Sequence, residues 1–235
     1  MNLSERMKLY ENCYDFTLPI KTPIIIRVDG RSFHSLKLNK PFDQIFIEAM
    51  IATSFRLFKK IQNAKLAYTQ SDEISLVLID YETKETQPWF GNRMSKMISI
   101  SSAIASTFFS DYLRKIKKLS TDMVEFDSRV FILPMHEVEN YFIQRYLDCV
   151  RNSISSVAQS HFSDKMLKGK KNKEKLDMLS KIGVDFYKDY SNHEKFGTII
   201  VGEETKSAPE TIGEWKEIIK PLVFMEEKDE SNTRV

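Results

Sequence analysis

Two carboxylates stand where a chain usually turns. Asp29 follows the apolar run Ile24-Ile25-Ile26-Arg27-Val28 and precedes Gly30, while Asp72 lies in the polar stretch Thr69-Gln70-Ser71-Asp72-Glu73. Though remote in sequence, the two meet if the first run and the one following Asp72 are neighbouring strands. Paired aspartates supply the hard oxygen ligands that two Mg²⁺ ions, about 3.5–4 Å apart, share in phosphoryl transfer. Gly30 lets the chain turn sharply and brings a backbone group within reach of metal or phosphate. Taken singly, each aspartate has an ordinary alternative, because Asp-Gly and Ser-Asp are common turn pairs. Convergence separates the two readings.

A second set is cationic. Arg93 and Lys96 are three residues apart, so on a helix they share a face. Near a helix start, free N–H groups and the dipole add to their attraction for a triphosphate. Lys40, just ahead of Pro41-Phe42-Asp43, is a further candidate, and among four scattered histidines His34 lies close to Asp29. Six lysines within 165–175 are accompanied by only Asp164 and Glu174, which suits either an exposed loop or contacts to an RNA backbone. Arg114, Lys115, Lys117 and Lys118 fit a simpler role at the negative end of a helix dipole. Neither a G-x-x-x-x-G-K-[ST] nor a G-x-G-x-x-G segment is present, which disfavours a glycine-loop nucleotide site.

The positioning elements follow from hydrophobic periodicity. After a short helix near 6–14, strands are expected at 24–28, 65–68, 74–79 and 129–133, with helices over 43–61 and 92–118. Asp43 is placed to cap the first of these helices. The order strand–helix–strand–strand–helix–strand is that of an α+β, ferredoxin-like (split βαβ) sheet with both helices on one face. Its first and third strands are central neighbours, which puts Asp29 and Asp72 at one sheet edge. Polymerase palms and nucleotide cyclases share this plan, as do many unrelated proteins, so fold alone decides nothing about activity. Beyond it are expected a helix at 137–161, the lysine stretch, a short helix at 176–181, and strands near 197–201 and 215–219. The polar tail 226–235 reads as disordered. The organisation is thus a palm at 1–135, a C-terminal helical and small-β region at 136–225 that packs on it and contacts RNA, and the tail.

Composition bounds these readings. The 235 residues are 42% hydrophobic and include 16 Phe and nine Tyr, enough for a real core. With only seven Gly and seven Pro, a β-sandwich or low-complexity chain is disfavoured. The net charge of +2 is too mild to argue for nucleic acid, so that case must rest on local clusters. Cys13 and Cys149 alone make neither a disulfide framework nor a zinc site and suit a reducing cytoplasm. No signal peptide or membrane span is expected.

Several blocks together resemble the tRNA-His guanylyltransferase family: Arg27-Val28-Asp29-Gly30-Arg31-Ser32-Phe33-His34, Lys40-Pro41-Phe42-Asp43, Tyr68-Thr69-Gln70-Ser71-Asp72-Glu73, Asn92-Arg93-Met94-Ser95-Lys96 and Phe126-Asp127-Ser128-Arg129. The resemblance implies an enzyme that extends RNA in the 3′-to-5′ direction. It implies metal ligation by Asp29, Asp72 and the Gly30 backbone, and an acidic role for Glu73 in the reaction. It also implies nucleoside triphosphate contacts from Asp29 to His34 (Arg31, Ser32 and Phe33 among them), from Ser71 and Asp72, and from Lys40, Arg93, Lys96 and Arg129. ATP or GTP as activating nucleotide, tRNA as partner and a homotetramer follow in the same way.

One block departs from the eukaryotic members. Where those read His-Ile-Asn-Asn-Leu-Tyr-Asn, this chain reads Val150-Arg151-Asn152-Ser153-Ile154-Ser155-Ser156. That form is similar to the Thg1-like branch, associated with template-directed repair of 5′-truncated tRNAs rather than addition of one G to tRNA-His. The latter remains the alternative activity, and a silent RNA- or nucleotide-binding palm is the alternative of another class.

Overall fold

The computed structural model describes residues 1–33, 36, 38–117 and 124–224. After the short helix α1 (Leu3–Asn12), the chain runs β1 (Ile24–Gly30), α2 (Gln44–Lys60), β2 (Ala64–Gln70), β3 (Glu73–Leu78), α3 (Met94–Lys117) and β4 (Phe126–Ile132). These four strands lie in the order β4-β1-β3-β2, every neighbouring pair antiparallel, so the expected split βαβ sheet is present. Asp43 does cap α2, its carboxylate accepting from Phe46 N–H.

Side-chain alternation divides the sheet into two faces. Ile24, Ile26 and Val28 enter one core with α2 and α3, where Phe33, Phe46, Phe109 and Phe126 pack ring against ring. Ile25 belongs to a second core on the opposite face, built with α4 (Met135–His161) and α9 (Ile212–Val223) around the fully buried Trp215.

The remaining elements are the helices α5 (Asp164–Leu167), α6 (Asn172–Lys181), α7 (Phe186–Asp189) and α8 (Asn192–Phe196), then strands β5 (Thr198–Val201) and β6 (Glu204–Ser207). β5 pairs with β2 and β6 with β5, so the C-terminal part extends the sheet to six strands. Gly197 permits that junction: it holds a φ of 82°, and a Cβ there would lie 2.5 Å from Thr69 O.

Two expectations need correction. Residues 215–219 form part of helix α9 rather than a strand. Thr211 and Glu214 make a capping box, and Trp215, Ile219 and Val223 recur every four residues on the buried side. The lysine stretch is not a plain loop either, since it carries most of α5 and the first turn of α6, helices anchored by buried Leu167 and Leu179. None of the described helices is long and apolar enough to cross a membrane.

Candidate active site

The end of β1 and the turn between β2 and β3 are joined by a backbone hydrogen bond. Gly30 N–H donates to Asp72 O at 2.9 Å, and Asp29 sits in register with Glu73 on one side and Asp127 on the other. Asp29 and Asp72 therefore share one sheet edge. Alternation from buried Val28 turns Arg27 and Asp29 toward the α4 side of the sheet. Both flanking turns hold a non-glycine residue at positive φ, Ser32 at 59° and Ser71 at 49°, a conformation that costs energy and clusters at functional sites.

Gly30 does not itself adopt a positive φ. Its reason is space: a Cβ there would meet the Phe33 ring at 2.7 Å. That ring is core, 4% exposed and packed on Phe46 and Phe126. Phe33 is thus able to contact a ligand by its backbone only, while its side chain shapes the loop carrying Gly30.

Charge is concentrated and layered here. Burial raises the Asp72 carboxyl above its ordinary range, its own backbone amide offsets part of this, and the Asp29 charge raises it again. Beneath them lies Glu73, only 5% exposed, its Oε2 held by Arg27 at 2.6 Å and by Arg145 of α4 at 3.0 Å. Burial pushes Glu73 up, and the two guanidiniums pull it only partly back. Arg27 also donates to Asp29 Oδ2 at 3.0 Å, and Arg145 reaches Asp148, which Arg151 holds from its other oxygen. Glu73 is therefore committed to two arginines and anchors an ion-pair network, whereas Asp29 and Asp72 keep free oxygen capacity. Tyr141 completes this layer through a 2.9 Å hydrogen bond between its hydroxyl and that of Ser75.

Arg129 lies on the same face, in register with Arg27 across the β4–β1 pair, and approaches Asp127 at 3.6 Å. Lys40 and Ser71 line a cavity of about 410 Å³ with Phe46, Met50, Gln70 and Asn152. That volume suits a small ligand. Arg31 points away to an exposed ion pair with Glu125 at 2.7 Å, and Ser32 belongs to the strained turn. His34 lies outside the described residues.

Arg93 and Lys96 are not gathered to this edge. Arg93 pairs with Asp15 at 2.5 Å and bridges Thr17, and Lys96 lies 5.9 Å from the Phe90 ring. The helix accounts for this. Ser101 of α3 touches Ser128 of β4, next to the row of Asp127 and Asp29, and Arg93 stands roughly 12 Å back along the helix at 1.5 Å per residue. The α3 layer also covers the face opposite the carboxylates.

Arg27, Arg145 and Asp148 escaped sequence reasoning. The available signal was charge on α4 beside apolar core positions: Arg145 and Asp148 alternate with the buried Phe142, Tyr146 and Cys149. Among the described residues no group of three or more His, Cys, Asp or Glu is arranged to hold a metal, so any ion here relies on two carboxylates and backbone oxygen.

Comparison with known proteins decides the family. The model described as "Thg1: tRNAHis guanylyltransferase" matches residues 4–134, more than half of the chain. The chain belongs to the tRNA-His guanylyltransferase family. As a member it is a nucleotidyltransferase. It is similar to a solved bacterial tRNA(His) guanylyltransferase (Thg1)-like protein in complex with ATP, at 36% identity and a TM-score of 0.90, covering 95% of this chain and 100% of that one. A bacterial Thg1-like protein in complex with GTP is 33% identical with a TM-score of 0.81, over 95% and 100% of the two chains. The tRNA(His) guanylyltransferase of Schizosaccharomyces pombe is 29% identical over 199 residues, 77% of this chain and 74% of that one.

Proposed function

We propose that this guanylyltransferase-family enzyme repairs tRNA by adding nucleotides to its 5′ end in the 3′-to-5′ direction, templated by the opposite strand. The observation that carries the reading is the meeting of Asp29 and Asp72 across the Gly30–Asp72 hydrogen bond. In this reading Asp29, Asp72 and the Gly30 backbone hold two Mg²⁺ ions. The donor set fits: both carboxylates are hard ligands, and a divalent cation would offset both the burial that chiefly raises Asp72 and the smaller push from the Asp29 charge. When bound, the ions supply charge neutralisation at phosphate and an activated attacking oxygen.

The chain's own residues supply the rest. An oxygen of the RNA 5′-monophosphate attacks the α-phosphorus of ATP or GTP and releases pyrophosphate, and the 3′-hydroxyl of an incoming nucleoside triphosphate then attacks the RNA phosphorus and expels the nucleoside monophosphate. Pyrophosphate is removed from the new 5′ end. Lys40 and Arg129 neutralise triphosphate oxygens, and Arg27, whose buried Nε makes no hydrogen bond, has donor capacity for another. The cavity beside Ser71 takes the base and ribose. Glu73 and Arg145 keep Arg27 in place through the turnover. Support for nucleotide use comes from the Thg1-like structures in complex with ATP and GTP.

The test is extension of a tRNA lacking its first nucleotide, with Mg²⁺ and nucleoside triphosphates. Template-matched incorporation that vanishes in Asp29→Ala and Asp72→Ala is expected, and retained activity in either variant refutes the site. Addition of a single G to tRNA-His is the second reading, favoured by the family model's name. A side-by-side panel of truncated tRNAs separates the two. We also place the enzyme in the cytoplasm as a homotetramer. α1 supports assembly: none of its residues is buried, and Leu3, Leu9 and Tyr10 are more than half exposed. Light scattering on the purified protein tests it.

A further inference from the structure

The segment 164–181 carries seven lysines against Asp164, Glu174 and Asp177, a net charge of +4 in a chain whose total is +2. All the rest of the protein taken together is therefore negative. These lysines do not ride on a floppy loop. Leu167 and Leu179 are buried with Ile154, Val157 and Ala158 of α4, so α5 and α6 form a lobe fixed to the end of that helix. Lys175 donates to Ser155 Oγ at 2.8 Å, and the next residue, Ser156, donates to Pro41 O at 2.7 Å in the wall of the nucleotide-sized cavity. Lobe and cavity are thus joined through two adjacent serines.

At the tip, Gln159, Lys165, Lys168 and Lys175, with Asp164, line an open hollow of about 550 Å³. Lys165, Lys168 and Lys173 are exposed and make no ion pair among the described residues, whereas Lys170 is held by Glu174. Lys165 and Lys168 at a hollow with an amide donor suit phosphodiester oxygens, and Lys173 adds charge from the first turn of α6. Gln159 lies roughly 21 Å along α4 from Arg145 at 1.5 Å per residue, too far to touch the nucleotide at the carboxylates. The distance suits a second region of a polymer whose end sits at the active edge.

We propose that the α5–α6 lobe is a docking surface for the phosphate backbone of the RNA substrate, remote from the reacting 5′ end. This rests on the reading of RNA as substrate. The surface measures RNA geometry by charge and not by sequence, so it strengthens binding to any RNA long enough to reach it.

The test uses the full chain and its variant Lys165→Ala/Lys168→Ala/Lys173→Ala, with Lys→Arg at all three positions as the control for folding and charge. Binding is measured without turnover, by fluorescence anisotropy over a salt series, for truncated tRNA and for an acceptor-stem hairpin too short to reach the lobe. The alanine variant should bind tRNA about tenfold more weakly, with a salt slope smaller by roughly 2–3 for the lost contacts. Hairpin binding and the KM for nucleoside triphosphate should not change, and the arginine variant should bind tRNA like the wild type. Unaltered tRNA affinity and slope overturn the proposal. So does a raised KM for triphosphate with tRNA binding intact, which would assign the hollow to free nucleotide. Inorganic phosphate at matched ionic strength should not displace tRNA, and displacement would count against a polyanion surface. A wild-type protein that binds tRNA through the lobe but incorporates no nucleotide would sink the catalytic reading and leave the surface standing.

Discussion

Replacing Arg145 by methionine removes one of the two guanidiniums that hold the Glu73 carboxylate and keeps most of the side-chain volume. Arg145 is 13% exposed and Glu73 5%, so water cannot fully take over the lost contact. Breaking a buried pair costs about 3–5 kcal/mol when the remaining charge is left alone. Here Glu73 keeps Arg27 at 2.6 Å, and Asp148 keeps Arg151 at 2.7 Å. The loss should thus be nearer the value of a charged hydrogen bond, about 2 kcal/mol. In a chain of this size that lowers Tm by about 4–8 °C.

The pH dependence has a definite sign. Glu73 is raised in the folded protein by burial, with Arg145 among the groups opposing the rise, so the variant should raise it further. A carboxyl raised on folding binds more protons in the native state, and stability falls as pH climbs from the unfolded to the folded value. The deficit of Arg145→Met should therefore be smallest at acid pH, where Glu73 is protonated, and largest at neutral pH. Denaturant unfolding in EDTA across this range measures it. In a double-mutant cycle with Glu73→Gln, a coupling above about 1 kcal/mol is expected. A variant as stable as the wild type at neutral pH, with no coupling to Glu73, would falsify the ion-pair reasoning.

Three other outcomes follow from the same geometry. Asp29→Ala and Asp72→Ala should each lower nucleotide incorporation by about a thousandfold, equivalent to about 4 kcal/mol of transition-state stabilisation, and Asp72→Asn should not lower Tm because it removes a desolvated, repelled charge. Metal binding should strengthen as pH rises through the elevated Asp72 value, and Asp29→Asn should move that limb to lower pH by removing the neighbouring charge; a limb that stays put in a Mg²⁺ titration counts against the coupling. Gly30→Ala should destabilise by about 1–3 kcal/mol, since its Cβ meets the Phe33 ring at 2.7 Å, and a thermal melt like the wild type would show that the loop yields freely.

Much of this was written into local pattern. The β-branched run 24–28, the capped apolar period of 43–61 and the tight turn at Ser71-Asp72 each specify an element from its own residues, and their order leaves one sheet with Asp29 and Asp72 at a shared edge. The shared edge of Asp29, Gly30 and Asp72 follows from sequence order, because a hairpin and a central strand have few ways to pair. Residues 215–219 misled, because a short apolar stretch does not disclose its period without its cap, and the Thr211–Glu214 box lies outside it.

What only the tertiary structure decided concerns side chains brought together by packing. Nothing in the local sequence says that Arg145, more than seventy residues beyond Glu73, closes on it from the opposite layer, or that Phe33 is core beside Gly30. Nor does spacing show that Arg93 and Lys96 sit back along α3 on the other face. Charge type is a property of a residue, but its partner is set by the crossing of helices over a sheet, and that is a property of the whole fold.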